Sequence, residues 1–141
     1  MFYEQRLSAP ETPTALQTEY TEKLAAILEG IDLETAAAET GIDRDRLEAL
    51  LEDESPDLEL EEVAEIQALA DGEPDAETIV EMACDNLLLG MTTAVLDVEA
   101  VAADLELDLD PKEVQQKIER RAPMSFEEFV HIQHVIASAT P

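Results

Sequence analysis

The chain has 141 residues, 45% of them apolar, and sets 35 Asp and Glu against 8 Lys and Arg for a net charge of −27. That length allows one domain or two small ones and that apolar content can bury a core, while the charge opposes nucleic acid in dilute salt. A single cysteine, Cys84, excludes an internal disulfide and any cysteine-based metal framework.

The apolar residues are mostly Ala, Leu, Val and Ile, with 3 Phe, 2 Tyr and no Trp, a composition suited to helices packed through small and aliphatic side chains. The acids are interleaved with apolar residues at helical spacing, which predicts folded helices with solvated acidic faces rather than disorder. Scarce lysine beside abundant Asp and Glu fits a protein adapted to concentrated salt: at about 1 M the Debye length falls to roughly 3 Å and self-repulsion is screened.

From the N-terminus, Met1–Glu11 has no sustained period and reads as a flexible arm that Phe2, Tyr3 and Leu7 could dock onto a neighbour. Thr12 as cap and Pro13 at the first helical position start a helix through Leu16, Tyr20, Leu24, Ile27 and Leu28 to Gly30. Leu33–Leu51 then has the pattern of a helix-turn-helix. Ala37 is the small residue at a close crossing, Gly41 supplies a left-handed helix end, Ile42 plugs the turn, and Leu47 and Leu50 close a small core. Asp32 and Asp43 stand at N-cap positions. Ser55 and Pro56 break the chain, and Leu58–Ala70 forms the next helix on Leu60, Val63, Ile66 and Leu69. The stretch DGEPD from Asp71 to Asp75 is a boundary. A long helix from Ala76 to Val95 follows, too broadly apolar for one narrow stripe and so packed on more than one side. Cys84 lies within it, beside Met82, Ala83 and Leu87, and reads as a packed thiol.

An internal repeat at an offset of 65 to 67 residues organises the whole. Asp32-Leu33-Glu34 corresponds to Asp97-Val98-Glu99, Ile42 to Leu107, Leu47 to Val114 and Pro56 to Pro123; Leu60, Val63, Ile66 and Gln67 meet Phe126, Phe129, Ile132 and Gln133. The prediction is an all-α protein of two tandem four-helix units, each helix-turn-helix-like: an arm at 1–11, a first unit at 12–71 and a second, degenerate unit at 76–139, arranged as a pseudo-dimer. In the second copy Glu106 replaces Gly41 and the turn is longer, but Asp110, Pro111 and Glu113 make a capping box and Ser125 with Glu128 makes another.

The segments ETGIDRDRLEALLEDESPDLELEE, DGEPDAETIVE, LLLGMTTAVLD and KEVQQKIERRAPMSFEEF resemble a family of small acidic proteins of unknown function from salt-loving archaea. The resemblance implies an intracellular halophilic setting and a helix-turn-helix-like start, and supplies no activity. The first unit also looks like the repressor-type helix-turn-helix domains, which would make Asp43–Leu51 a recognition helix.

As a reader of DNA that helix is poor: residues 43–53 hold two Arg against five carboxylates, with Arg44 the cation best placed for a groove. The helix of PKEVQQKIERRA instead holds four of the 8 basic residues, and with Val114 and Ile118 inward it presents Lys112, Gln116 and Arg120, flanked by Gln115 and Lys117. Gln can pair with adenine while Lys and Arg hold phosphates. The first expectation is therefore a DNA-associated transcriptional regulator using Lys112, Gln115, Gln116, Lys117, Arg120 and Arg44, with a homodimer as the expected assembly. The alternative is a protein-interaction or adaptor module that kept the fold without binding DNA, docking through Leu87, Leu88 and Met91. His131 and His134 are spaced to share a metal, but no third ligand is well placed, and no triad or phosphate loop stands out. No cofactor, metal or catalytic residue is expected. No basic, apolar leader opens the chain and its longest uncharged run, Phe129–Pro141, is too short to span a bilayer, so the expected location is cytoplasmic with no membrane partner.

Overall fold

A computed structural model describes residues 1–52 and 54–139; Asp53, one of the acids noted above, and the end of the Phe129–Pro141 run lie outside them. The described residues form eight helices: α1 (Pro13–Glu29), α2 (Leu33–Thr40), α3 (Arg44–Leu51), α4 (Leu60–Gln67), α5 (Ala76–Ala94), α6 (Val98–Asp104), α7 (Pro111–Ile118) and α8 (Phe126–Ala139). α1, α4, α5 and α8 are the centre, each packed against two or more of the others, while the α2/α3 pair leans on α1 and α4 and the α6/α7 pair on α5 and α8. Buried apolar side chains from all eight helices join in one cluster.

Local chemistry sets most helix ends. The hydroxyl of Thr12 and the carboxylates of Asp43, Asp75, Asp97 and Asp110 each accept a backbone N–H three residues on. Each satisfies one of the donors that a helix N-terminus leaves without an intrahelical partner. Asp32 occupies its cap position without making that bond. Gly41 ends α2 at φ 75°, and Gly72 turns the α4–α5 connection at φ 82°, both in the region where a side chain is penalised. The capping boxes at Asp110/Glu113 and Ser125/Glu128 form, and a third appears at Glu59/Glu62.

α4 ends three residues before its sequence pattern and starts two residues after it, the late start arising because the backbone on both sides of Glu59 is used elsewhere. Leu60 N–H donates to Met124 O at 2.9 Å and Phe126 N–H donates to Leu58 O at 2.8 Å, an isolated antiparallel bridge across Glu59 and Ser125. Arg46 of α3 braces this connection, donating to the Asp57 carbonyl at 3.1 Å and to both oxygens of Glu62 at 2.9 and 2.7 Å. In α2 the fully enclosed small residue is Ala36, with Ala37 half-buried. The helix is turned by one position from the expected phase because it packs on both α3 and α4.

α5 buries Ile79, Val80, Ala83, Cys84, Leu87, Gly90 and Met91, the broad face expected of a helix that meets α4, α7 and α8. Gly90 lets it approach α8 closely: a Cβ there would lie 2.8 Å from Ile136 Cγ2. The arm expected to be flexible is docked. Phe2 and Tyr3 are 2% and 7% exposed within the core cluster, because the aromatic residues of α1 and α8 leave a recess that sequence periodicity does not reveal.

Candidate functional site

α7 is positioned by its capping box and by Val114 and Ile118, both buried, which turn its polar residues outward as the pattern required. Most of those residues find partners within the chain. Lys117 Nζ lies 2.8 Å from the Pro123 carbonyl and 3.0 Å from Glu128 Oε1, with its side chain only 15% exposed. Gln115 donates to Glu119 at 3.1 Å. Arg120 sits 3.6 Å from Glu81, and Arg121 3.4 Å from Glu119. Lys112 is exposed and Gln116 half-buried. In the other half, Arg44 pairs with Glu34 at 3.3 Å. The predicted contact residues other than Arg44 thus lie along α7 and just past its end, and of their cations Lys117, Arg120 and Arg44 face carboxylates while Lys112 faces water.

The chain leaves α7 through a left-handed residue. Arg120 has φ 63°; its N–H donates to Lys117 O and that of Arg121 to Gln116 O, the paired bonds of a Schellman ending that glycine usually provides. A cleft of about 570 Å³ opens beside it, lined by Leu60, Val80, Cys84, Lys117, Arg120 and Met124 among others. Burial pushes the Cys84 thiol up to about 11, with the Arg120 charge opposing that shift. At neutral pH the thiol is protonated and a poor nucleophile.

The expected partner face needs correction. Leu87 and Met91 point into the core at 2% and 7% exposure, while Leu88 is 44% exposed. A run of three leucines carries no phase of its own, and the tertiary packing of α5 on α8 assigns it. The uncovered large apolar residues of this helix and its end are Met82 at 36%, Leu88, Leu89 at 50% and Val95 at 89%, the last three grouped at the C-terminal end. Val95 is also left-handed, at φ 57°, a costly conformation for a β-branched side chain. No charged residue occurs from Asn86 to Leu96, and that gap in an otherwise acidic sequence is the signal that could have found this face.

His134 Nε2 lies 2.7 Å from the Pro10 carbonyl, and His131 Nδ1 is enclosed with no hydrogen-bond partner among the described residues. Among those residues no three His, Cys, Asp or Glu gather closely enough to hold a metal ion, and no single helix is long and apolar enough to cross a membrane.

These features define an acidic, all-helical protein whose polar helix ends are largely self-satisfied. The chain belongs to a family of unknown function, DUF5791, whose profile matches residues 16–139. No curated protein and no solved structure matches it.

Proposed function

We propose that this protein is a non-enzymatic interaction module of a salt-adapted cell, built from two tandem helix-turn-helix-like units and docking a protein partner through the outer face of α5. The carrying observation is the contrast between two surfaces. Lys117 of α7 is held by Glu128, and Arg120 and Arg121 just beyond the helix pair with Glu81 and Glu119, which leaves exposed Lys112, among the described residues, as the one cation of the stripe facing water, whereas Leu88, Leu89 and Val95 are exposed on an uncharged stretch. Phosphate contacts supply most of the affinity for DNA. A lysine held by a carboxylate and a carbonyl, on a chain of net charge −27, has little left for them.

The tandem arrangement is supported by reciprocal contacts. Shifting the chain by 66 residues carries Leu58 onto Met124 and Leu60 onto Phe126, so the two backbone bonds of the Glu59–Ser125 bridge exchange with one another. The same shift carries Asp57 and Glu62 onto Pro123 and Glu128, the acceptors taken by Arg46 in one half and Lys117 in the other. Such self-matching contacts are those of a two-fold interface.

The test is recovery of the tagged chain from cells of high internal salt, with bound protein and bound DNA analysed in the same sample. A Leu88→Glu/Leu89→Glu variant and a Lys112→Glu/Gln116→Glu variant run beside the wild type. A stoichiometric protein lost from the leucine variant supports the module. Discrete DNA sites lost from the α7 variant would overturn it and restore the regulator reading.

A further inference from the structure

The N-terminal segment is held as a bound peptide is held. Glu4 N–H donates to Met1 O at 3.2 Å, closing a turn whose two central residues are Phe2 and Tyr3. The Phe2 ring meets Phe126, Phe129 and Tyr20 edge-on, with centroids 5.6, 5.9 and 6.3 Å away, a geometry that adds to simple burial. Both carbonyls of the pair are read by side-chain amides: Gln133 Nε2 donates to Phe2 O at 3.0 Å and Asn86 Nδ2 to Tyr3 O at 2.8 Å. The Tyr3 hydroxyl donates to Glu73, whose other oxygen accepts from Gln67 at 2.8 Å. Arg6 pairs with Glu19 and lies over the Tyr20 ring, 5.7 Å from its centroid.

Gln133 and Gln67 are only 5% and 6% exposed. Buried side-chain amides are normally hydrogen-bonded, and leaving one unmet is costly; here buried Gln133 and half-buried Asn86 spend a donor on the arm. The residues that form the recess all lie within 16–139, the span matched by the family, and the segment that fills it lies outside that span. Exposed Leu7 and Ser8 and half-buried Ala9 and Pro10 connect the occupant to α1.

We propose that the groove between α1, α5 and α8 is a peptide-recognition site held in cis by the chain's own N-terminus. Its ligand in trans is a short partner segment with an adjacent Phe-Tyr pair and an Arg three residues after the Tyr. This inference rests on the interaction-module reading and gives it a second, gated site. The aromatic recess takes the Phe, Glu73 takes the Tyr hydroxyl, and the acidic Glu19 favours the base. A tethered arm competes at an effective concentration on the order of millimolar, so a trans ligand binds well only when the arm lets go.

The experiment uses the full chain and a fluorescein-labelled peptide of sequence MFYEQRLS, read by anisotropy in concentrated KCl. In a Phe2→Ala/Tyr3→Ala chain the cis occupant is weakened, and the peptide is expected to bind at least about 100-fold more tightly than to the wild type. Placing Ala at the Phe position of the peptide, or Glu at its Arg position, is expected to cost about tenfold or more. Equal binding to both chains, or no binding to a folded double variant, would overturn the proposal. So would loss of the variant's helical circular dichroism, because the arm would then be part of the core rather than its ligand. The peptide is defined in advance, so failure here is separable from failure to recover a partner through Leu88 and Leu89.

Discussion

Gly90 offers a sharp test of how α5 is seated. Replacing it with Ala in a helix interior should by itself gain about 1 kcal/mol from backbone propensity. The added Cβ, however, would stand 2.8 Å from Ile136 Cγ2, a separation that real contacts do not sustain, and relief of such overpacking typically costs about 1–3 kcal/mol. Gly90→Ala is therefore expected to range from nearly neutral to about 2 kcal/mol destabilising. Ile136→Leu removes the methyl branch at Cβ while conserving volume, at a cost under about 1.5 kcal/mol. In that background Gly90→Ala should become stabilising by up to about 1 kcal/mol, giving a coupling energy of about 1–3 kcal/mol between the two sites. Urea midpoints of the four proteins of the cycle, at one fixed salt concentration, measure it. Equal effects of Gly90→Ala in the two backgrounds would refute the close approach of α5 and α8.

Four further outcomes are expected. Val95→Gly relieves a left-handed β-branched residue that is 89% exposed and should raise stability by about 1 kcal/mol; a lower urea midpoint would count against that backbone geometry. The hydrogen bonds from Arg46 hold the Glu62 carboxyl below its ordinary value of 4.5. A depressed carboxylate contributes stability above its unfolded pKa that is lost as pH falls through the folded one, so Arg46→Ala should cost about 1 kcal/mol at pH 7 and flatten the acid limb of the stability profile below about pH 4.5. Tyr3 is pushed up to about 12 by burial and then by its bond to Glu73. A raised phenol favours the protonated folded state, so its contribution is complete below pH 10 and lost between 10 and 12; Tyr3→Phe should remove that alkaline step from a melt series. Stability should also rise with KCl, as expected for a charge of −27 whose self-repulsion is screened; a midpoint that fell with salt would remove the halophilic reading.

Helix ends were legible in the sequence where one short polar side chain decides them. Thr12, Asp43, Asp75, Asp110 and Ser125 each act on a donor three residues away, so neighbours in sequence contain the whole interaction. Gly41 and Gly72 were legible for the same reason. Val95 and Arg120 were not: both take the left-handed position that glycine usually fills, and only the surrounding fold holds them there. The docking of Phe2 depends on Gln133, 131 positions away, and on rings from α1 and α8. The choice between Leu87 and Leu88 likewise depends on which neighbours α5 meets.

Lys117 shows the same dependence on long-range chemistry. Its place on the flank of the polar stripe of α7 follows from periodicity, and periodicity alone makes it a candidate phosphate ligand. Its actual acceptors are Pro123 O and Glu128, residues of the following turn and of α8. Arg46 makes the corresponding pair of contacts to Asp57 O and Glu62. α3 and α7 thus each send a cation to a loop carbonyl and to the third residue of α4 or α8, pinning the segments that enter the Glu59–Ser125 bridge. Freeing Lys117 for DNA would leave the partly buried Glu128 without its countercharge, at a cost that an exposed lysine would not carry. The leucines of α5 hold no buried countercharge: Leu88 and Leu89 are 44% and 50% exposed, so a partner lost from the Leu88→Glu/Leu89→Glu variant is assigned to the interface once its urea midpoint matches the wild type.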